Sequence, residues 1–411
     1  MDRMFRLVLL FALLTGSAFV AVPAHARSGG NLAGAPAQAE SGAPVPGPCV
    51  EGTLPGGALS MICTPSSGWN GDLVIFAHGY IAFNEPLDFQ HLTFGGVDLP
   101  VIAQRIGFAF ATTSYRQNGL AILEGADDIR ELVAAFRDTA GSTPRRTYLI
   151  GASEGGIITT LLAERSPELF SGGLAMCGPI GSFRGQINYV GDFRVLFDYF
   201  FPGVIPGPAT EIPQEVIDNW KSVYEPKVTA ALNANPDAAA QLIRTSKAAI
   251  DPNNPSETTV TTAVNVLWYN VFGTNDAVAK VGGNPYGNRF RWYWGSDDDR
   301  MLNDKVARFW ADPKALANIT AYETSGSVEI PLVTLHTRGD EIIPYWHEQL
   351  YWAKAWHAES KVTIIPTDGY GHCNFTLGSV LFSFAVLVGR VSGHEPDYSE
   401  VLKEVEQAPE R

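Results

Sequence analysis

The sequence predicts an α/β fold: a mostly parallel sheet covered by helices on both faces, interrupted by an inserted, largely helical lid. Three observations carry this. Short continuous apolar runs alternate with amphipathic helical stretches, the pattern of a parallel sheet buried on both sides. That rhythm stops near Pro179 and resumes at Pro331, leaving a long aromatic, Pro-interrupted stretch between them. The chain has 411 residues, 45% hydrophobic and only 18% charged, which is enough for a large core and too apolar for wholesale disorder.

The elements follow in order. Arg3 and Arg6 precede an apolar run from Leu7 to Val20, and Ala24-His25-Ala26 supplies small residues for cleavage. Residues 1–26 therefore read as a secretory signal peptide, and a secreted or periplasmic protein is expected. The run is shorter than the ~20 residues a spanning helix needs. No later segment qualifies, so no stable membrane anchor is expected. Residues 27–48 are mostly Gly, Ala, Pro and Ser and read as a flexible linker.

The first part of the core is expected over 49–180. Strands are predicted at 73–77, ending at His78-Gly79-Tyr80, and at 108–113. In 122–138, Ile129, Leu132, Val133 and Phe136 share one helical face. A strand at 147–150 runs into Gly151-Ala152-Ser153-Glu154-Gly155-Gly156, and a helix follows with Ile157, Ile158, Leu161 and Leu162 on one side. A fourth strand is predicted at 174–177. The lid is expected over 181–327. The second part of the core, 328–411, has predicted strands at 331–336 and 361–366, with helices at 348–358 and roughly 375–391.

Composition removes some functions. Acidic residues outnumber basic ones 43 to 29, for a net charge of −14. Nucleic-acid affinity comes mostly from Lys and Arg on phosphates, so no nucleic-acid partner is expected. Four cysteines are too few to build a disulfide miniprotein. Export would place them where disulfides persist. Cys49 and Cys63 bracket a Gly- and Pro-rich loop and are expected to pair.

The chemistry starts at Gly151-Ala152-Ser153-Glu154-Gly155, a Gly-x-Ser-x-Gly motif directly after a strand and before a helix, as a nucleophile elbow requires. A serine hydroxyl needs a base, itself oriented by a carboxylate. Asp340 and His372 each follow one of the later predicted strands, and the chain order Ser, Asp, His fits that elbow. Glu341 and Asp368 are rivals for the acid, with turn position favouring Asp340. An oxyanion needs two backbone donors. The N–H groups of Glu154 and Tyr80 are the candidates, with His78 bracing the loop.

These four placements resemble the α/β-hydrolase superfamily, specifically secreted serine esterases with a short His-Gly-x oxyanion turn, over about 70–180 and 328–395. The resemblance implies an α/β-hydrolase fold and a Ser153–His372–Asp340 acyl-enzyme mechanism. His372-Cys373 is further similar to tannase- and feruloyl-esterase-like enzymes, in which a disulfide ties the Ser and His loops together. Here Ala152, not Cys, precedes Ser153. Cys177, at the end of the neighbouring strand, takes that cysteine's place as the expected partner of Cys373.

No His-Glu-x-x-His or paired Cys-x-x-Cys motif exists, so neither a metal nor a cofactor is expected. Asp297-Asp298-Asp299 reads as a solvated acidic turn. Aromatic side chains crowd the lid, among them Phe193, Phe197, Trp268, Tyr269, Trp292 and Trp294; most are expected in the lid core, yet an aromatic lid over a serine site favours apolar or aromatic acyl groups. Tyr345 and Trp346, just past Asp340, are expected to line the same cleft. The reading is a secreted serine hydrolase of carboxylic esters, acting on small-molecule or polymeric ester substrates. A peptidase on the same scaffold, with one of several lid carboxylates such as Asp192 or Asp198 holding a substrate amine, and a non-catalytic binding protein are the alternatives.

Overall fold

Eight strands form one sheet in the computed structural model, which describes residues 43–406. The expected signal peptide and residues 27–42 of the expected linker lie outside the described residues. The strands are β1 (Cys49–Thr53), β2 (Leu59–Cys63), β3 (Asp72–Ala77), β4 (Ala109–Thr113), β5 (Arg146–Ala152), β6 (Gly172–Met176), β7 (Leu332–Gly339) and β8 (Val362–Tyr370). Their spatial order is β1-β2-β4-β3-β5-β6-β7-β8. β1 runs antiparallel to β2 and β2 to β4, while all other pairs are parallel. This is the α/β-hydrolase fold.

Strands β1 and β2 are absent from the sequence reading, for a physical reason. β1 is exposed along its whole length and has no buried alternation to betray it. It is held instead by its ladder and by the Cys49–Cys63 disulfide across it. Residues 43–48, placed in the linker by the sequence, are likewise tied down. Val45 bridges Ser67, and the Gly47 N–H donates to Gln104 Oε1 at 2.7 Å.

Period-two alternation sorts the strand side chains onto two faces. Leu73, Ile75, Ala111 and Leu149 face one way and pack with α2 (Ile122–Ala140) and α3 (Glu154–Arg165). Val74, Phe76, Phe110 and Tyr148 face the other way, with α1 (Leu99–Arg105) and α12 (Leu377–Ser392). The predicted helix at 122–138 is α2, and the predicted C-terminal helix is α12. The one predicted at 348–358 begins and ends earlier, as α11 (Trp346–Lys354).

Between β6 and β7 the chain leaves the sheet and builds helices α4 (Phe183–Phe200), α5 (Gln214–Asp218), α6 (Glu225–Ala234), α7 (Pro236–Ser246), α8 (Pro255–Val281), α9 (Asp299–Lys305) and α10 (Pro313–Asn318). Ser182 caps α4 by accepting the Gly185 N–H. This stretch has a core of its own, centred on Phe193, Phe197, Trp220 and Leu267. Arg194 is fully buried in it, and its guanidinium is satisfied by Asp198, Asn270 Oδ1 and the carbonyls of Ile205 and Gly207. Asp298 caps α9, and Asp299 binds the turn before it.

The order β4-β3-β5 positions the site. The connection after β3 departs to one side and that after β5 to the other, so a crevice opens beyond their C-terminal ends, where ligands of such sheets bind. His78-Gly79-Tyr80 leaves β3 there, and Ser153 leaves β5 beside it.

Candidate active site

Ser153 sits between β5 and α3 at φ 56° and ψ −118°, a left-handed backbone that costs a non-glycine residue on the order of 1–3 kcal/mol. Its neighbours explain why the turn is possible. A Cβ on Gly151 would overlap the carbonyl of Gly155, and one on Gly155 would overlap the carbonyl of Ala77. Only glycine lets strand, helix and the end of β3 approach this closely. The Ser153 N–H is fixed by the Met176 carbonyl at 2.8 Å.

The three residues the sequence proposed for a triad come together. Ser153 Oγ lies 2.9 Å from His372 Nε2, and His372 Nδ1 lies 2.8 Å from Asp340 Oδ2. The Asp340 carboxylate can only accept, so Nδ1 carries the proton and Nε2 is left to accept from the serine hydroxyl. The other Asp340 oxygen accepts the N–H groups of Ile342 and Ile343 at 2.9 and 2.8 Å. The rival carboxylates stand elsewhere. Glu341 accepts from Asn265, and Asp368 pairs with Arg338 on the surface.

Behind Asp340 lies a group absent from the sequence reading. His336, near the end of β7, has both ring nitrogens against acceptors. Nδ1 is 3.0 Å from Glu348 Oε1, and Nε2 is 2.8 Å from the Ile343 carbonyl and 3.5 Å from Asp340 Oδ2. Burial opposes its protonation, but bonds to Asp340 and Glu348 outweigh that and raise its pKa to about 10. It is a buried imidazolium between two carboxylates. Burial likewise opposes ionisation of Asp340, yet the facing His372 and the bonds from both histidines hold the carboxyl well below its usual range. A histidine closing an otherwise apolar strand was the one available signal.

The two proposed backbone donors flank Ser153. The Glu154 N–H opens α3, where first-turn N–H groups have no partner one turn back. Gly79 lies against Ser153 closely enough that a Cβ there would sit 3.2 Å from the serine Cβ. His78 Nδ1 donates to the Gly79 carbonyl at 2.7 Å, and in a trans peptide this turns the Tyr80 N–H to the opposite side. The His78 ring stacks on Tyr115 at 3.9 Å, and burial lowers its pKa to about 4, so it is a neutral brace. The Tyr80 hydroxyl donates to the Phe272 carbonyl on α8 at 3.0 Å.

Cys177 and Cys373 are joined in a disulfide, with Cα atoms 5.3 Å apart. Among the described residues, the close His and Cys group of Cys177, His372 and Cys373 thus has its sulfurs already bonded to each other.

Two cavities meet at Ser153. One, of about 350 Å³, lies between the sheet and helices α1 and α12. The other, of about 100 Å³, lies under the lid and includes Glu154, Gln186, Asn270 and Thr274 in its wall. Ser153, Tyr80 and Tyr269 line both. His91, which the sequence reading did not single out, lines the larger one beside His372 in a left-handed backbone (φ 58°). Tyr345 and Trp346 line neither cavity, contrary to expectation. The amide bonds of Ile342 and Ile343 to Asp340 wrap the chain behind the acid. Tyr345 then meets the edge of His336, and Trp346 stacks on His347.

No family model matches the chain, and no curated protein does. Among solved structures, an esterase from Aspergillus oryzae is similar at 13% identity and a TM-score of 0.44, covering 82% of this chain and 77% of that one. Candida antarctica lipase A follows at 14% and 0.43, covering 85% and 78%. An acylaminoacyl peptidase from Pyrococcus horikoshii is similar at 12% and 0.39, and the match covers 82% of this chain but only 38% of that one. Likeness at this level says nothing about substrate.

Proposed function

Starting from an α/β-hydrolase sheet whose crevice holds Ser153, His372 and Asp340 in one hydrogen-bonded row, we propose that the protein is a serine hydrolase of carboxylic esters. The observation that carries this reading is the row itself, with a strained serine at one end and a buried carboxylate at the other. Ser153 Oγ attacks the ester carbonyl carbon while its proton passes to His372 Nε2. The carbonyl oxygen becomes an oxyanion facing the N–H groups of Tyr80 and Glu154. Collapse breaks the bond to the alcohol, which leaves with the proton from His372. Water, deprotonated by the same nitrogen, then releases the acid and restores Ser153. Asp340 holds the tautomer and balances the imidazolium.

Asp192 and Asp198, two of the amine anchors open to a peptidase reading, are engaged elsewhere. Asp192 accepts from Tyr286 and Tyr293 and pairs with Arg291, while Asp198 pairs with Arg194. Glu154 faces the smaller cavity, but burial, against the pull of Lys280, pushes its carboxyl up to about 8, so it carries little charge at neutral pH.

Export is part of the proposal. Two disulfides support an oxidising compartment, and no described helix is long and apolar enough to cross a membrane. The test is a fluorophosphonate label with peptide mapping, run beside p-nitrophenyl esters and aminoacyl-p-nitroanilides. The label is expected on Ser153 and turnover on the esters. Labelling of another serine, or turnover of anilides alone, overturns the reading.

A further inference from the structure

Resting on the esterase reading, we propose that the acyl arm of the substrate is an unbranched hydrocarbon chain of roughly ten carbons, threaded from Ser153 into the core between the sheet and helices α1 and α12. The lid, whose aromatic content suggested acyl recognition, contributes only Tyr269 to this cavity. The wall is otherwise core. The sheet supplies Val74, Phe76, Phe110 and Ile150, the same face that elsewhere packs against α1 and α12.

The chemistry of the wall is directional. No Asp, Glu, Lys or Arg lines the cavity, and its histidines and serine gather at one end, where His91 and His372 flank Ser153. A charged or strongly polar arm would be desolvated there without a partner. An apolar space of about 350 Å³ opening at Ser153 is a site for something apolar.

The register gives the depth. Ala152 lines the mouth, and Val74 lines the far end, opposite Tyr148 on β5, four residues below Ala152. At ~3.3 Å per residue this is about 13 Å. A zigzag chain of ~1.5 Å carbon–carbon bonds spans that distance in roughly ten carbons. The acyl arm is assigned here because it stays on Ser153 through the second step and need not leave a buried cavity. The alcohol must depart while the acyl group still fills that space, and the smaller, more polar cavity suits it.

Two substrate series test this: p-nitrophenyl esters from acetate to dodecanoate, and butyrate esters of alcohols from ethanol to decanol. Burial of each methylene predicts a rise in kcat/KM of up to about fourfold per carbon along the acyl series, ending near ten, with no comparable rise along the alcohol series. Ala103→Phe, on the α1 wall, and Val380→Phe, on the first turns of α12, are each expected to lower the decanoate-to-butyrate ratio at least tenfold. Either variant suffices if the other fails to fold. Titration of the wild-type protein with free decanoate, read by calorimetry, reports on the cavity without catalysis. A flat acyl series with active enzyme, or a rise along the alcohol series instead, overturns the assignment and leaves the hydrolase reading standing. Decanoate binding that Ala103→Phe or Val380→Phe abolishes, without turnover of any ester, sinks the hydrolase reading and supports the cavity.

Discussion

Replacing Asp340 by Asn isolates what the buried carboxylate contributes. One carboxylate oxygen is held by the N–H groups of Ile342 and Ile343, so the asparagine carbonyl must take that position. Its NH₂ group is then left where Oδ2 stood, 2.8 Å from His372 Nδ1. A donor now faces that nitrogen, which can only respond by accepting, so the ring proton moves to Nε2 and points at Ser153 Oγ. In that tautomer the histidine cannot take the serine proton. The same exchange in the serine-protease precedent lowers kcat on the order of 10⁴-fold, equivalent to about 5 kcal/mol of transition-state stabilisation. We expect a loss of that size here. The substitution keeps the volume and both amide bonds, so the fold should persist. Tm should fall, since His336 retains only Glu348 as a charged partner. Turnover of p-nitrophenyl butyrate, with near-ultraviolet circular dichroism to verify folding, measures the effect. A folded Asp340→Asn protein with kcat within tenfold of wild type would refute the tautomer argument.

His78→Ala frees the Gly79 carbonyl and lets the Tyr80 N–H turn; kcat should drop roughly 10- to 100-fold, less than outright loss of an oxyanion donor, with little change in KM. An unchanged kcat removes His78 from the site. Cys373→Ser opens a bridge between residues 196 apart, worth at most about 5 kcal/mol in the chain-entropy model. Thermal unfolding should show a lower Tm, and kcat should suffer more than KM because the His372 loop loosens; the reverse pattern contradicts the positioning role. Glu154 has a folded-state pKa of about 8 against its usual 4.5, so its stabilisation is full below about pH 4.5 and is lost as pH rises through 8. Glu154→Gln should therefore flatten the decline of Tm between pH 5 and 9, and parallel slopes for the two proteins would contradict the shift.

The parts of this molecule legible from sequence are those whose signal is local. The Gly-x-Ser-x-Gly turn announces itself because the glycines answer steric demands within four residues and at the end of β3. The buried strands announce themselves by apolar runs, and Asp340 and His372 by following such runs. The rest depends on how turns and separate segments close around a residue, which no periodicity reports. His336 acquires meaning only when Glu348 on α11 and Asp340 close around it. His91 is an ordinary loop residue until β5 and the His372 loop arrive beside it. The larger cavity is a property of two helices, α1 and α12, separated by most of the chain, and no periodicity reports the space between them. Tyr345 and Trp346 show the converse: they are close to Asp340 in sequence, but the Asp340 turn carries them away from both cavities.

The bond between Cys177 and Cys373 has a topological consequence. It closes a covalent ring that contains the whole lid, β7, α11 and β8, with Ser153 just outside the ring and His372 beside its closure. Lid segments reach the surface, as Phe290 and Trp310 do, and exposed segments are where proteolytic nicking concentrates. A single cut there would ordinarily separate a chain into two fragments, one bearing Ser153 and the other Asp340 and His372. In this protein the fragments stay bonded at the rim of the site, so a clipped molecule remains one molecule with all three residues aboard.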